Sequence, residues 1–521
     1  MRLRADRSAR LMTAGAAVLV GGSPTRVLRL TGAGAREVSG WFGGQRVGSG
    51  DSARRLARRL LDAGIAHPSP SPGDGPTAGD VTVVIPVQDR YAELARCLAG
   101  LRDAARGYGP GAYRVIVVDD RSADAGAIAA IAASYGATVI RRAVNGGPGA
   151  ARNTGLAAAG TDFVAFLDSD CVPRAGWPDD LLPHFADPAV AAVAPRIVPH
   201  QTGAGWLARY EGASSTLDMG TRPSIVRPGT RVPYVPGAAL VVRREAAGSG
   251  FAPGLTVGED VDFVWRLAAA GWTVRYEPSS VMGHEHRVRL RAWFARRADY
   301  GTSAAALEKR HPGAVRPLYP SWWTLGAWAA LLSRRPVTAL ALTATATALL
   351  SRRLSRVTGE PWPLPGFKKI LEDFPHHDVG NTPRSSRPPL WDADNSKKRR
   401  RGVAWWLAVR LAGGGIPGAG RPLGSALSRT WWPLAIPAAV AIPKIRLPVA
   451  ALMLAPPLLD WADRRPPLDP ARYTVARLLD DAAYGLGVWH GCLRERTLRP
   501  LLPALGSPSA GQSAGPSAGR G

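Results

Sequence analysis

Short apolar runs separated by helix-like stretches mark the centre of the chain. Four of them read VTVVIPV (81–87), YRVIVV (113–118), TVI (138–140) and FVAFL (163–167). Runs of this length, rich in β-branched residues, are typical of strands buried on both faces of a parallel sheet. Apolar residues at helical spacing, such as Leu94, Leu98 and Leu101, predict a helix after the first run. The alternation predicts right-handed βαβ units and an α/β fold.

Acidic residues follow three of these predicted strands. Asp89 follows the first, Asp119 and Asp120 end the second, and Asp168 and Asp170 follow the fourth. Ligands of parallel sheets bind beyond the carboxyl ends of the strands, so these carboxylates are expected at a binding site. In an extended strand the last two would face the same way and repel each other unless a cation lay between them. Mg²⁺ or Mn²⁺ favours such oxygen ligands, whereas the plain alternative is a solvated Asp-Ser-Asp turn.

Six segments in a fixed order carry a family resemblance over roughly residues 80–310. They read VIPVQDR, VVDDRS, GGPGAARNTG, FLDSD, PGAALVVRR and GEDVDFVWRL. Each is weak alone, but the ordered set closely resembles the family 2 glycosyltransferases. That resemblance implies the Rossmann-like GT-A fold, a nucleotide-sugar donor, inverting glycosyl transfer and Mg²⁺ or Mn²⁺ as cofactor.

The resemblance also implies a set of donor-binding residues. These are Pro86, Asp89, Asp119, Asp120, Gly149, Arg152 and Asp168. A carboxylate suits this role because it accepts hydrogen bonds from a uracil N–H or from ribose hydroxyls. The alternative for Asp119 and Asp120 is a helix N-cap, which Ser122 or Asp124 could equally provide. For the glycines, a simple loop and helix start is an equally good interpretation.

The resemblance makes Asp260 the catalytic base and Glu259 the residue that orients it or the acceptor. The reaction needs a base because the acceptor hydroxyl loses its proton as it attacks the anomeric carbon. A metal ion would stabilise the charge of the departing diphosphate. The alternative is an acid-rich helix N-terminus, which the helix dipole favours. Gly237 and Ala238 match the acceptor-side strand, where small residues let a sugar approach the backbone.

The expected metal ligands are Asp168, Asp170 and His284. In extended chain, His284 and His286 would face the same side, and His284 has the better spacing for a ligand. The alternative is a histidine hydrogen-bonded to its own loop. Beyond this point residues 296–303 read RRADYGTS, where processive family members carry a Gln-x-x-Arg-Trp motif. We therefore expect addition of one or a few sugars.

The flanking regions predict further parts. Residues 1–67 combine strand-like runs with two helices, the first capped by Thr31, and resemble the small PqqD-like winged-helix modules that bind leader peptides. The alternative is an accessory domain that only packs on the transferase. The apolar stretch LMTAGAAVLVGG is interpreted as folded β structure and not as a signal peptide. Residues 68–79 have the composition of a linker.

Residues 311–505 are apolar and rich in paired tryptophans flanked by arginines. That composition suits a membrane interface, although no stretch offers about 20 uninterrupted apolar residues for a clean span. A buried helical domain is the alternative. The polar segment 351–401 is expected to be irregular, and the Ser/Gly/Pro/Ala tail, 506–521, is expected to be disordered.

Charge and cysteine content bear on location. The 521 residues carry a formal net charge of +26, and the three cysteines do not form a disulfide framework, which fits a reducing cytoplasm. No nucleic-acid motif accompanies the charge, so an anionic membrane surface is the preferred partner and nucleic acid is not expected. These features predict a cytoplasmic protein attached to the inner face of the cell membrane.

The three-part layout resembles the mycofactocin-system glycosyltransferases of actinobacteria. What that resemblance implies is β-1,4 transfer of glucose from UDP-glucose to the peptide-derived redox cofactor mycofactocin, alongside the proteins of a precursor-peptide pathway. One alternative is a rhamnosyl- or galactosyltransferase that acts on cell-wall or lipid-linked glycans. A more remote alternative is a non-catalytic scaffold that binds peptide or membrane.

Overall fold

The N-terminal residues form a small sheet and two helices. The computed structural model describes residues 1–12, 17–71, 73–105, 113–200, 203, 205–286, 289–333, 335–358, 408–409 and 415–504. The first elements are β1 (Arg2–Ala5), β2 (Arg10–Met12), β3 (Ala17–Gly21), β4 (Arg26–Leu30), α1 (Gly32–Phe42), α2 (Asp51–Asp62) and β5 (Ala66–Ser69). Strands β2, β3 and β4 form an antiparallel meander. Thr31 caps α1 by accepting a hydrogen bond from the Gly34 N–H at 3.1 Å, which confirms the predicted cap.

The predicted β structure of this region is confirmed, although residues 13–16 lie outside the described part. Val38 and Trp41 of α1 and Leu60 of α2 pack on Leu19 of β3 in one apolar core. The winged-helix assignment and leader-peptide binding stay predictions. The predicted linker is framed by β5 and a 3₁₀ turn at Ala78–Asp80.

The central region contains nine strands and seven helices within its described residues. The strands are β6 (Val81–Val87), β7 (Arg114–Asp119), β8 (Thr138–Arg141), β9 (Phe163–Leu167), β10 (Cys171–Pro173), β11 (Val190–Pro199), β12 (Ser224–Ile225), β13 (Ala239–Arg243) and β14 (Thr273–His284). The helices are α3 (Tyr91–Ala104), α4 (Ala125–Ser134), α5 (Gly147–Ala158), α6 (Trp206–Ser214), α7 (Arg244–Ala247), α8 (Glu259–Ala269) and α9 (Leu290–Arg310). A 3₁₀ turn spans Leu182–Ala186.

All nine strands belong to one mixed sheet, ordered β10-β14-β11-β13-β9-β6-β7-β8 with β12 beside β14. Strands β6 to β9 pair in parallel, which confirms the predicted βαβ half. Strand β13 is antiparallel to both β9 and β11, so the expected parallel sheet does not extend beyond β9. The apolar pattern cannot distinguish these directions, because a strand buried on both faces reads the same in either orientation.

Both faces of the sheet are buried. Side chains alternate along β6, so Val83 and Ile85 pack with Leu94 of α3 on one face. Val84 packs on the other face with Phe166 of β9 and Phe263 of α8. This double burial explains why the strands read as unbroken apolar runs.

The C-terminal region is helical where it is described. Its helices are α10 (Trp322–Leu332), α11 (Pro336–Thr358), α12 (Gly415–Arg429), α13 (Trp432–Ala441), α14 (Arg446–Arg464) and α15 (Pro470–Arg494), with 3₁₀ turns at Pro443–Ile445 and Arg499–Leu501. The chain divides into two units. One comprises Met1–Arg2, His67–Pro320 and Arg421–Gly521, and the other Leu3–Ala66 and Ser321–Gly420. In the latter, Val18 and Val20 of β3 pack with Leu350 and Leu354 of α11.

In the unit that contains the large sheet, α15 packs closely on α9. A Cβ placed on Gly301 of α9 would lie 2.1 Å from the Tyr484 carbonyl oxygen of α15, so the two backbones touch at this level. A buried ionic network joins the same elements. Arg297 pairs with Glu211 of α6 at 2.5 Å and with Asp480 of α15 at 3.1 Å. Helix α15 therefore belongs to the same compact unit as the sheet.

One helical stretch in the described part of the chain, the 22 residues Pro443–Arg464, is long and apolar enough to cross a membrane. Its large apolar side chains are exposed, including Leu447, Leu454, Leu458 and Leu459. The expectation of irregular structure over 351–401 is wrong for residues 351–358, which continue α11. The rest of that segment and the predicted disordered tail lie outside the described residues.

Candidate active site

The first acidic residues lie at the carboxyl ends of β6 and β7. Asp89 has a φ of +53°, and its carboxylate accepts a hydrogen bond from the Ala123 N–H at 2.7 Å. Asp119 is buried, and its two oxygens accept from the Ser122 N–H at 2.8 Å and from Arg141 at 2.5 Å. The structure therefore brings Asp89 and Asp119 to one edge of the sheet, as expected. Pro86 lies in β6 opposite Val118 of β7.

Asp120 anchors the glycine-rich turn before α5. Its carboxylate accepts from the Gly147 N–H at 2.7 Å and the Gly146 N–H at 3.1 Å, and it pairs with Arg142. The helix-cap alternative for Asp119 and Asp120 is wrong, because Asp124 caps α4 through the Ala127 N–H at 2.9 Å.

Two arginines that neutralise these acids, Arg141 and Arg142, were not predicted from the sequence. Arg141 ends β8 and Arg142 follows it. Two basic residues at the end of the neighbouring parallel strand could have predicted that these carboxylates are paired. Any ligand that reaches Asp119 or Asp120 meets a guanidinium beside the carboxylate.

Arg152 of α5 joins two halves of the site. It is 3% exposed, and its guanidinium donates from Nη2 to Asp168 at 2.6 Å and from Nη1 to Glu259 at 2.8 Å. Burial opposes the charge, but Asp168 and Glu259 outweigh it and raise the pKa of Arg152. A Cβ on Gly149 would lie 3.2 Å from the Glu259 Cγ, so a glycine here lets α5 approach α8 closely.

Glu259 and Asp260 open α8 directly after Gly258, whose φ is +83°. Burial, and then the neighbouring charge of Asp260, raise the pKa of Glu259 against the opposing effect of Arg152. Asp260 accepts through Oδ2 from the Gly237 N–H at 2.7 Å and through Oδ1 from the Val261 N–H at 2.8 Å. Both residues thus sit at an acid-rich helix N-terminus and also face the other predicted site residues.

Gly237 and Ala238 bridge the two acidic positions. The Ala238 carbonyl accepts a hydrogen bond from the Asp168 N–H at 2.9 Å, while the Gly237 N–H holds Asp260. A Cβ on Gly237 would lie 2.9 Å from the Asp260 Cβ and 3.3 Å from the Arg152 Cζ. Asp168, Arg152, Glu259, Asp260 and Gly237 therefore form one contiguous arrangement.

A third missed residue, Asp262, supports the start of α8. It is fully buried and accepts hydrogen bonds from Arg266 at 2.8 Å, Arg310 at 2.7 Å and His311 at 2.9 Å. Burial opposes ionisation, but the hydrogen bonds from His311, Arg310 and Arg266 lower the pKa of Asp262. In the sequence, the one sign of this role was that Asp262 is the third acidic residue of the string GEDVD.

Asp170 and His284 face each other across the pairing of β10 and β14. The Asp170 Oδ1 and His284 Nε2 atoms are 3.4 Å apart, and Arg90 also pairs with Asp170. Burial opposes ionisation, but the hydrogen bond of His284 and the charges of His284 and Arg90 lower the pKa of Asp170. Among the described residues, His284 Nδ1 and His286 Nε2 are both buried without a hydrogen-bond partner, and His286 Nδ1 lies 3.7 Å from Glu211.

The arrangement brings together two of the three predicted metal ligands. Asp170, His284 and Cys171 place possible ligand atoms within 4.8 Å of one another. Burial raises the pKa of Cys171 well above its usual value, and a protonated thiol is a poor ligand for a hard cation. Asp168 points instead to Arg152. The strand-face argument for the Asp168–Asp170 pair is wrong, because β9 ends at Leu167 and the aspartates lie in a turn.

Comparison with known proteins gives a family match and a near full-length relative. The family model "Glycosyl transferase family 2" matches residues 82–251. The pre-mycofactocin glycosyltransferase of Mycobacterium tuberculosis is 40% identical over 514 residues, which cover 96% of this chain and 97% of that protein. The succinoglycan biosynthesis protein ExoW of Rhizobium meliloti is 52% identical over 115 residues, which cover 20% of this chain and 32% of that protein.

Among solved structures, the mannosyltransferase PcManGT from Pyrobaculum calidifontis, in complex with GDP-Man and Mn²⁺, is similar at 24% identity. The match covers 56% of this chain and 81% of that chain, with a TM-score of 0.37.

Proposed function

This chain belongs to the family of the pre-mycofactocin glycosyltransferases, and from that premise we propose that it glycosylates the peptide-derived cofactor mycofactocin or its precursor. The chain is a glycosyltransferase, and its mixed α/β sheet is the GT-A fold of family 2. The observation that carries the proposal is the contiguous arrangement from Asp168 through Arg152 and Glu259 to Asp260 and Gly237. The remote alternative, a non-catalytic scaffold, does not fit a chain that belongs to a family of glycosyltransferases.

The proposed reaction is inverting transfer from UDP-glucose, with β-1,4 linkage of the glucose units. Asp260 takes the proton from the acceptor hydroxyl as its oxygen attacks the anomeric carbon. The N–H groups of Gly237 and Val261 fix the Asp260 carboxylate, and Arg152 holds Glu259 beside it. A single base without an enzymatic nucleophile is what an inverting displacement needs.

The proposed cofactor is Mg²⁺ or Mn²⁺, held by Asp170 and His284 with Asp168 close along the chain. A carboxylate oxygen and an imidazole Nε2 that lie 3.4 Å apart fit a divalent ion, which would share its remaining coordination with substrate oxygens. When bound, the ion stabilises the charge of the diphosphate leaving group. Asp89, Asp119 and Asp120 are the proposed contacts for the nucleoside.

The first test is a donor panel on purified protein, with and without Mn²⁺. Binding and nucleotide release are compared for UDP-glucose, UDP-galactose, dTDP-rhamnose and GDP-mannose, and a metal-dependent preference for UDP-glucose is expected. Asp260→Asn should reduce transfer by about 10²-fold or more, because the general base is lost. Its Kd for UDP-glucose should stay near that of the wild type. Unchanged turnover in Asp260→Asn would refute the base assignment.

A second candidate is rhamnosyl or galactosyl transfer to a cell-wall or lipid-linked acceptor. The exposed apolar stretch Pro443–Arg464, with Lys444 and Arg446 at its start, favours attachment to an anionic membrane surface. We propose that the protein lies on the cytoplasmic face of the membrane in either case. A preference for dTDP-rhamnose or UDP-galactose in the donor panel would select this candidate.

A further inference from the structure

Aromatic and basic side chains of α9, α12 and α15 gather near the candidate base. The Arg429 guanidinium, at the end of α12, lies 3.8 Å from the ring centroid of Tyr484 on α15. The Arg296 guanidinium of α9 lies 4.9 Å from the ring centroid of Tyr300. These two pairs lie close together, because the backbones of α9 and α15 touch at this level. Gly301, next to Tyr300, contacts the carbonyl oxygen of Tyr484.

Tyr234 connects this cluster to Asp260. It lies three residues before Gly237, whose N–H donates a hydrogen bond to Asp260 at 2.7 Å. Burial, and then interactions with Tyr484, Asp260 and Tyr300 that outweigh the effect of Arg429, raise the pKa of Tyr234 to about 12. The hydroxyl therefore keeps its proton at neutral pH and can donate a hydrogen bond.

The exposure of these side chains suits a ligand surface. Tyr234, Tyr300 and Tyr484 are half-buried, so they belong neither to the closed core nor to open solvent. The Arg429 side chain is 32% exposed, and its nearest carboxylate, on Asp481, is 3.7 Å away.

The Asp481 carboxylate does not accept a hydrogen bond from Arg429. Its Oδ2 accepts from Ser428 at 2.7 Å, whereas its Oδ1 lies 3.6 Å from Arg477 and 3.7 Å from Arg429, beyond hydrogen-bond distance of either. The Arg429 guanidinium is therefore able to donate to a ligand oxygen.

We infer that Tyr234, Tyr300, Tyr484 and Arg429 form the acceptor subsite and that this subsite takes a hydroxyl-bearing ring. Aromatic faces offer contact area to a ring, and the guanidinium supplies hydrogen bonds to its oxygen substituents. The nearby Asp260 would then receive the proton of the reacting hydroxyl. This inference rests on the proposed function and assigns part of acceptor recognition to the C-terminal helices. The ring is either that of the peptide-derived acceptor or that of a sugar already attached to it.

The test measures transfer rates from UDP-glucose with the pre-mycofactocin acceptor varied, together with UDP-glucose binding by calorimetry. Tyr484→Leu and Arg429→Met should each raise the acceptor KM about three- to tenfold, the range expected for one lost aromatic or guanidinium contact. The Kd for UDP-glucose should stay within about twofold of the wild-type value. Arg421→Met is the matched control, because Arg421 lies on the same helix but pairs with the exposed Asp463 at 2.8 Å. Its acceptor KM should equal that of the wild type.

An acceptor KM that stays at the wild-type value in both variants would overturn the inference. A donor Kd that rises by the same factor as the acceptor KM would overturn it as well. If Tyr484→Leu does not fold, Tyr300→Leu on α9 is measured in its place under the same two criteria. Failure of the proposed function is distinguishable, because the wild type itself would then transfer nothing to this acceptor. The series is then repeated with an acceptor that already carries one glucose. If the variants raise the KM only for this acceptor, the subsite holds the attached sugar; if they raise the KM for the acceptor without glucose, it holds the ring of the peptide-derived acceptor.

Discussion

Gly237→Ala tests the geometry of the candidate base with the addition of one methyl group. The new Cβ would lie 2.9 Å from the Asp260 Cβ, whereas ordinary carbon contacts are about 3.5–4.0 Å. Gly237 is not one of the positive-φ glycines of the described chain, so alanine adds no backbone strain here. Asp260 must therefore move by roughly 0.6–1 Å to reach ordinary contact. Arg152 has little room to yield on the other side, because Asp168 and Glu259 hold its guanidinium.

The expected result is a kcat lowered by about 10²-fold, because a misplacement of about 1 Å has a cost of that order. The free energy of unfolding should fall by about 1–3 kcal/mol from overpacking. The assay is steady-state transfer with both substrates varied, together with denaturant unfolding. Gly205→Ala is the matched control, since nothing lies within 4 Å of its added Cβ and its φ is −69°. A kcat for Gly237→Ala equal to that of the control would refute the reasoning.

Three further changes test other parts of the site. Asp170→Ala should weaken the Mn²⁺ dependence of UDP binding in calorimetry, and an unaltered metal dependence would contradict the ligand assignment. Asp262→Asn should cost about 1–3 kcal/mol of unfolding free energy at pH 7, because a buried carboxylate that accepts hydrogen bonds from Arg266, Arg310 and His311 is replaced by a neutral amide that cannot accept all three. Since the folded pKa of Asp262 is lowered, its contribution is present above the unfolded value of about 3.9 and is lost as the pH falls through the folded value. The difference between wild type and variant should therefore shrink below about pH 4, and a constant difference would argue against ionisation of Asp262. Gly301→Val should separate α9 from α15 and lower the thermal midpoint by several degrees, whereas an unchanged midpoint would show that the close contact is not needed.

The predictable part of this fold is the part with local signals. Strands β6, β7 and β9 carry the predicted buried apolar runs, whereas β8 at the sheet edge is only partly buried. Asp89, Asp119 and Asp120, which end or follow β6 and β7, lie near one another as the parallel rule requires. The antiparallel β13 could not be predicted, because its Ala239–Arg243 run looks the same in either direction. Asp168 and Asp170 follow β9 as predicted, but their shared orientation could not be derived from strand alternation, because nothing in the sequence marks Leu167 as the last strand residue.

The residues missed by sequence reasoning are those whose role depends on distant partners. Arg141 and Arg142 neutralise carboxylates more than twenty residues earlier in the chain, and Asp262 pairs with Arg310 on another helix. A charged residue in a one-dimensional pattern shows its own chemistry but not its partner. Resemblance to a family located Asp260 and Arg152, whereas only the folded arrangement shows that Arg152 connects Asp168 to Glu259.

The C-terminal helix α15 is connected through α9 to the turn that holds the candidate base, although the two are remote in sequence. Helix α9 contacts α15 at Gly301, and two residues later Ser303 lies against Gly258, where an added Cβ would be 2.9 Å from the Ser303 Cβ. Gly258 directly precedes Glu259 and Asp260, so the same helix packs on the turn that holds the candidate base and on α15. A change that shifts α9 is therefore expected to act on both.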